Sequence, residues 1–162
     1  MSSFVNIEGI IGEVSDANHK GWININRWRF GTHRKISSHT STQGDRESAN
    51  ATITDLTITR FMDKASPKLF IEACCGRGKT IKLTQTKTGS GSGAQVFIEY
   101  TFYNAIVSDY QVLAINNSAT RPREEITISF VDAEIKYTPY DEDGNAEAPI
   151  AVGFNTATNM KK

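Results

Sequence analysis

The residues with the most specific chemical pattern lie at positions 76–80, where the sequence is GRGKT. A glycine, lysine and threonine in this order end the P-loop, which binds nucleotide phosphates. The first glycine of that motif would fall at position 73, where this chain has Ala73. A P-loop also follows a strand and opens a helix, whereas the pattern here predicts a helix before the segment and a strand after it. We therefore interpret positions 76–80 as a helix end followed by a solvated basic turn.

Carboxylates and histidines, which commonly bind metals or act in catalysis, are not spaced for either task. Positions 141–145 (DEDGN) resemble the start of a calcium loop, but their glycine is fourth instead of sixth and no glutamate follows at the twelfth position. We predict a turn there. The three histidines lie in or beside predicted loops, without the spacing of a helical metal pair or a nucleophile partner. We expect no metal, no cofactor and no enzymatic activity.

The only cysteines, Cys74 and Cys75, are adjacent on the predicted helix. Neighbouring helical side chains point about 100° apart, which argues against a disulfide between them and against a two-ligand metal site. Because free cysteines are usually buried, we expect at least one of them in the interior.

Composition excludes several classes of partner. The chain has 162 residues, with 18 basic and 18 acidic side chains and a formal net charge of zero. A balanced charge gives no general attraction to nucleic acid or anionic membranes and little self-repulsion. The first residues lack the basic and apolar regions of a signal peptide, and no apolar run approaches the ~20 residues of a membrane span. We expect one domain over residues 1–162, made as a soluble cytoplasmic chain.

One short helix, at about residues 66–76, stands out in a chain that otherwise has strand patterns. Ser66 is a suitable N-cap, Pro67 suits the first helical position, and Gly76 suits the end of the helix. Alternating apolar residues predict a first strand over residues 4–12.

Three segments, at 22–30, 96–103 and 126–137, place apolar residues on both faces of a strand. A closed or double-layered sheet that is also covered by neighbouring protein explains this pattern, and so does a monomeric sandwich with bulges. The polar segment 36–50 is long for a loop inside a compact domain. It is either a mobile surface loop or a protrusion that docks on another subunit, with Arg46 and Glu47 available for polar pairing.

Several segments, in their order and spacing, resemble the haemolysin-coregulated protein (Hcp) family of bacterial type VI secretion systems over essentially the whole chain. They lie at residues 7–13 (IEGIIGE), 28–31 (WRFG), 55–69 (DLTITRFMDKASPKL), 100–102 with 107–108, 128–130 with 135–139, and 153–156 with 158–159.

The resemblance implies a mainly β fold, a small barrel of two antiparallel sheets with one helix on its side, as in phage tail tubes. It also implies homohexameric rings that stack into the inner tube, which a contracting sheath expels together with a spike. The protein would itself be secreted without a cleaved signal peptide, and the ring lumen would bind and chaperone small effectors. Heterologous contacts of this kind close a ring.

The resemblance also assigns roles to residues. The family's extended loop falls at about residues 37–50, and its candidates for ring stacking and subunit contacts are Ser38, His39, Gln43, Asp45, Arg46, Glu47 and Asn50. Strand alternation points Arg29 away from Trp28 and Phe30, which makes Arg29 the candidate for a lumen-facing residue. Many relatives have a small polar residue there, so arginine would change the charge of the lumen.

Two other functions stay open. A phage-type tail tube protein would have nearly the same physics and would differ in its gene neighbours. A carbohydrate-binding β-sandwich would use Trp22 and Trp28 and would be a monomer with a glycan site.

Overall fold

Most segments with alternating apolar residues form strands in the computed structural model of the protein, and these strands pair into antiparallel sheets. The structure describes residues 1–36, 43–47, 50–88, 91 and 93–162. The strands within these ranges are β1 (Ser2–Ile7), β2 (Ile23–Ile25), β3 (Arg27–Arg29), β4 (Thr32–Arg34), β5 (Ala51–Ile53), β6 (Leu56–Phe61), β7 (Lys79–Lys87), β8 (Gln95–Leu113), β9 (Arg123–Ser129), β10 (Asp132–Tyr137), β11 (Ile150–Asn155) and β12 (Met160–Lys161), and the helices are α1 (Gln43–Glu47) and α2 (Ser66–Cys75).

The strands form two main antiparallel sheets that share the long strand β8. Sheet A has the order β12-β11-β10-β8-β7-β1-β2, and sheet B has the order β3-β6-β9-β8. The chain passes from sheet A to sheet B between β2 and β3, where the Asn26 amide donates a hydrogen bond to the carbonyl of Thr59 (2.9 Å). The mainly β fold of two antiparallel sheets with a helix at the side is confirmed, although the ladders of the described residues do not form a closed barrel.

A third, two-stranded ladder extends sheet B outward. Strands β4 and β5 pair with each other and continue the hairpin formed by β3 and β6. Gly31 and Thr54 join the two ladders, since each donates its amide to the other residue at 2.8 Å. The tip of this hairpin carries α1.

The hydrophobic core lies between the inner faces of sheets A and B. The best buried apolar side chains, each at most 1% exposed, are Val5, Ile7, Ile23, Leu56, Ile58, Leu69, Ile81, Leu83, Phe102, Ile126 and Ile128.

Breaks and bulges explain why apolar residues occupy both faces of three segments. Segment 22–30 changes sheet at Asn26, and segment 126–137 changes sheet between β9 and β10. In segment 96–103, β8 has a register shift between Val96 and Ile98, which lie opposite Thr86 and Gln85 of β7, and this irregularity changes the alternation. The mixed pattern therefore has a cause within a single copy of the chain.

The first strand is shorter than its alternation predicts. β1 ends at Ile7, where the chain turns and the Ile10 amide donates to the Ile7 carbonyl (3.0 Å). Gly9 has a φ of 81°, which favours glycine and breaks the strand. The prediction that the strand continues to residue 12 is thus wrong, and Ile11 is 65% exposed.

Helix α2 confirms the predicted position but corrects its start. Ser66 is the first helical residue, and the N-cap is Ala65, which has no side-chain cap. Asp63 takes the capping role instead, because its carboxylate accepts a hydrogen bond from the Ala65 amide (2.8 Å) while its own amide donates to the Ser66 hydroxyl (3.0 Å). Gly76 closes the helix as predicted, and its amide donates to the Glu72 carbonyl (2.9 Å).

The expected burial of a cysteine is wrong, because Cys74 and Cys75 are both exposed. Helix α2 contacts β8 and buries Leu69 in the core, whereas Phe70 and Ile71 are about half exposed. A helix that packs through one face leaves the remaining positions in solvent.

The acidic segment 141–145 forms the predicted turn. The Gly144 amide donates to the Asp141 carbonyl (3.0 Å), and the Asn145 amide donates to the Asp141 carboxylate (2.8 Å). In the part of the chain that the structure describes, no helix has the length and apolar character to cross a membrane.

Candidate functional site

The outer face of sheet B is polar because its strands alternate between core and solvent. Leu56 and Ile58 of β6, like Ile126 and Ile128 of β9, are fully buried, so the residues between them point outward. The outward residues are Arg27, Arg29, Thr57, Thr59, Glu125, Thr127, Asp109 and Gln111.

Arg29 lies on this outer face, opposite Trp28 and Phe30. The rings of Trp28 and Phe30 each lie 5.1 Å from the ring of Tyr100 and cover the core, while the side chain of Arg29 is exposed. Arg29 therefore lies on the face that strand alternation predicts, and its position in a lumen stays a prediction.

Two arginines and a carboxylate surround a shallow depression on the outer face. Its volume is about 240 Å³, and its lining comprises Arg27, Arg29, Thr57, Thr59 and Glu125. Among the described residues, the side chains of both arginines have no hydrogen-bond or ion-pair partner. The face thus offers charged groups to a molecule outside this chain.

The polar segment at the hairpin tip contains a helix that the sequence analysis did not predict. Within α1, the Gln43 side-chain amide donates to the Glu47 carboxylate (2.7 Å). Arg34 of β4 donates to the carbonyls of Arg46 (3.2 Å) and Glu47 (2.8 Å), which ties α1 to the strand. Sequence reasoning missed this anchor, because nothing in the local pattern identifies a guanidinium that binds backbone carbonyls.

Gln43, Arg46 and Glu47 have exposed side chains on α1. Asn50 is also exposed, and its side-chain oxygen accepts a hydrogen bond from the side-chain amide of Asn159 (2.9 Å). The other loop candidates, Ser38, His39 and the side chain of Asp45, lie outside the described residues.

The two tryptophans belong to separate aromatic clusters. The ring of Trp22 meets His19 at 4.8 Å, and His19 in turn meets Phe4 at 4.8 Å. The ring of Trp28 contacts Tyr100 and is half-buried. This arrangement gives no common stacking surface for the carbohydrate-binding alternative.

A buried ionic network supports sheet B from its inner face. Arg60 of β6 lies directly opposite Glu124 of β9, and its guanidinium donates to that carboxylate at 3.0 Å and to Asp63 at 2.5 Å. The Tyr110 hydroxyl donates to the other oxygen of Glu124. Burial, followed by this hydrogen bond, raises the pKa of Tyr110. Because Asp63 also caps the turn before α2, the network joins sheet B to the helix.

The sequence does carry a signal for this network. Arg60 has the same strand parity as Leu56 and Ile58, and Glu124 has the same parity as Ile126 and Ile128. A charged residue on the apolar side of each strand predicts a buried pair, because burying a lone charge is costly.

Comparison with known proteins gives consistent matches. A family model described as "Type VI secretion system effector, Hcp" matches residues 4–137. The protein hcp1 of Pseudomonas aeruginosa is 27% identical over 162 residues, which cover 98% of this chain and 96% of that protein. A solved structure described as a type six secretion system protein has 29% identity and a TM-score of 0.90, and the match covers 99% of both chains. Hcp1 from Salmonella typhimurium has 25% identity and a TM-score of 0.78, with 99% of this chain and 98% of that chain covered.

Proposed function

We propose that six copies of this chain form a closed ring as its working unit, because the chain belongs to the Hcp family. It is a secreted, structural tube subunit of the type VI secretion system and not an enzyme. Rings stack into a tube, and contraction of the surrounding sheath expels the tube with its spike. The protein is assembled in the bacterial cytoplasm as one domain over residues 1–162 and leaves the cell without cleavage of a signal peptide.

The polar outer face of sheet B is the observation that carries the proposal. This face is solvated in a single copy, and its core-facing side is complete without a partner. A water-filled channel needs a wall of this kind, polar on one side and packed on the other. We assign the outer face of sheet B to the lumen of the ring.

Arg29 is the candidate for contact with cargo in that lumen. Its guanidinium is exposed and has no partner among the described residues. Small secreted effectors bind there during assembly, and the ring acts as their chaperone until export. Arg27 and Arg29 share this face with Glu125 and Asp109, so the lumen carries charges of both signs.

The hairpin tip is the candidate for contact between stacked rings. The Arg34 anchor holds α1 in place, which presents Gln43, Arg46 and Glu47 to solvent on a fixed support. Ordering the segment in advance lowers the entropic cost of docking. Ser38, His39, Asp45 and Asn50 belong to the same proposed contact.

The solution mass, measured by light scattering after size exclusion, tests the ring. The expected result is a mass six times that of the chain, with annular particles in negative-stain images of the same peak. A monomer that persists at high protein concentration would overturn the ring, and images of compact particles without a central hole would overturn the lumen.

A further inference from the structure

The face of sheet A that points away from the core carries an open cavity of about 410 Å³. Its floor contains Thr84 of β7, Glu99 of β8 and Lys136 of β10, which lie opposite one another in a single row across the sheet. His19 and Trp22, from the segment between β1 and β2, form one wall. Ligand pockets measure about 300–1,000 Å³, so this cavity has the size for a small molecule.

The carboxylate of Asp16 holds this wall in place. It accepts hydrogen bonds from the backbone amides of Asn18 (3.0 Å) and Ala94 (3.2 Å) and from Nδ1 of His19 (2.8 Å). Ala94 directly precedes β8, so Asp16 ties the wall to the β7–β8 connection. The ring of His19 also contacts Phe4 of β1, with 4.8 Å between the ring centres. A wall that is ordered without a ligand lowers the entropic cost of binding.

The buried imidazole of His19 presents a hydrogen-bond acceptor to the cavity. The hydrogen bond from His19 lowers the pKa of Asp16, so that carboxylate stays ionised and can only accept. The neutral ring therefore carries its proton on Nδ1, which leaves the lone pair on Nε2. His19 is 2% exposed, and among the described residues Nε2 has no partner. Leaving a buried acceptor unpaired costs free energy, which a ligand with a donor group would recover.

The floor of the cavity adds donors and acceptors that the chain does not use itself. Glu99 and Lys136 lie directly opposite each other, yet within the described part of the chain neither side chain has a hydrogen-bond or ion-pair partner. The hydroxyl of Thr84, which is 1% exposed, is also unpaired there. Because the charges of Glu99 and Lys136 cancel, the floor suits a neutral ligand that both donates and accepts hydrogen bonds.

The ring of Trp22 gives the cavity an apolar surface. It is half-buried and meets His19 edge-on, with 4.8 Å between the ring centres. An aromatic ring supplies a large, rigid contact area for an apolar partner. A ligand that matches the whole cavity therefore has an apolar face and several hydroxyl groups at its edge. A sugar ring has both, since its C–H groups lie on the faces and its hydroxyl groups lie around the rim.

We propose that this cavity binds a neutral sugar ring, which packs against Trp22. Hydroxyl groups of the sugar donate to Nε2 of His19 and to the carboxylate of Glu99, and another accepts from the ammonium group of Lys136. The site uses Trp22 without Trp28, so it does not need a stacking surface common to both tryptophans. The cavity is complete within one copy of the chain and lies on sheet A, so sugar binding does not depend on the proposed ring.

Saturation-transfer NMR with glucose, galactose, mannose and N-acetylglucosamine tests the site, and at least one of these sugars should bind the wild type. The cavity variant combines Glu99→Ala with Lys136→Ala. We expect its Kd to rise about tenfold or more, because hydrogen bonds to charged groups are lost. The matched control combines Lys82→Ala with Glu134→Ala. These two residues flank Thr101 in the next row of the same face, outside the cavity, and carry the same charges. The control should bind as the wild type does.

Fluorescence of Trp22 tests the same site without relying on charge. Trp28→Phe leaves Trp22 as the one tryptophan of the chain. In this variant, the sugar that binds in the NMR measurement should change the emission of Trp22 with the same Kd. A circular dichroism spectrum like that of the wild type checks that each variant is folded.

The outcomes separate the sugar site from the ring. If none of the four sugars gives a signal with the folded wild type, the cavity holds water only and the proposal is overturned. Equal Kd values for the cavity variant and the matched control would also overturn it, because binding would then lie elsewhere. Light scattering of the same samples reports assembly. A protein that binds sugar and stays monomeric would support the site and overturn the ring, and rings without sugar binding would do the reverse.

Discussion

The buried pair of Arg60 and Glu124 permits a prediction with a definite magnitude. Both side chains are at most 1% exposed, and the Arg60 guanidinium donates to Glu124 at 3.0 Å. Glu124→Gln keeps the shape of the side chain and removes its negative charge. Among the residues that the structure describes, Arg60 then retains Asp63 as its one charged partner.

Removal of one partner from a buried ion pair costs about 3–5 kcal/mol, because the remaining charge is left undercompensated. We expect a loss near the lower limit, about 3 kcal/mol, since Asp63 stays in place and the glutamine oxygen still accepts a hydrogen bond. For a chain of this length, each 1 kcal/mol shifts the melting temperature by about 2–4 °C. The melting temperature should therefore fall by roughly 6–12 °C.

The assay is thermal unfolding followed by far-ultraviolet circular dichroism, at a protein concentration where the wild type is monomeric. Assembly would otherwise add its own stabilisation to the melting temperature. Glu125→Gln is the matched control, because Glu125 is the next residue of β9 and points to solvent. It should change the free energy of unfolding by less than about 0.5 kcal/mol. Equal melting temperatures for the two variants would refute the assigned role of the network.

Three further changes address the loop, the lumen and the tyrosine of the network. Replacing Arg46 and Glu47 together with alanine should leave the fold intact and shorten the tubes seen by electron microscopy at high concentration; tubes of unchanged length would count against a stacking role for α1. Arg29→Ala removes one exposed charge, worth at most about 1 kcal/mol, so rings should persist while co-purified effectors decrease, and loss of the rings would assign Arg29 to a contact between subunits instead. Tyr110 has a raised pKa, so the stability it contributes is present below the ordinary value near 10.0 and is lost as the pH rises through the higher folded value. Tyr110→Phe should therefore lose less stability than the wild type between about pH 9 and pH 12, and equal losses would contradict the assignment.

Local signals in the sequence predicted local structure well. The position of α2, its end at Gly76 and the turn at 141–145 depend on residues that are near one another in the chain. The start of α2 was off by one residue because Asp63, three positions before Ser66, offers a competing carboxylate for the same turn. Choosing between two capping side chains requires the backbone geometry of the turn, which the residue types do not specify.

Long-range pairing was beyond prediction from the sequence, although part of its signal was present. Arg60 and Glu124 are 64 positions apart, and they meet only because β6 and β9 are neighbours in sheet B. Strand parity marks each residue as inward-facing but does not say which strands are adjacent. The exposure of Cys74 and Cys75 has a similar origin, since the side of α2 that packs depends on where β8 lies.

The mixed parity of the strands is weak evidence for assembly, because sheet changes and the register shift in β8 between Val96 and Ile98 explain it within one copy. Evidence that bears on a partner has to come from groups that one copy leaves unsatisfied. Within the described residues, sheet B supplies two such features, the unpaired backbone of its outer strands and the opposite charges of Arg29 and Asp109 at those strands. A monomer would gain nothing from this combination, since the two charges lie too far apart to attract each other strongly in water. The edges of sheet B therefore support the proposed ring more directly than the alternation of its residues does.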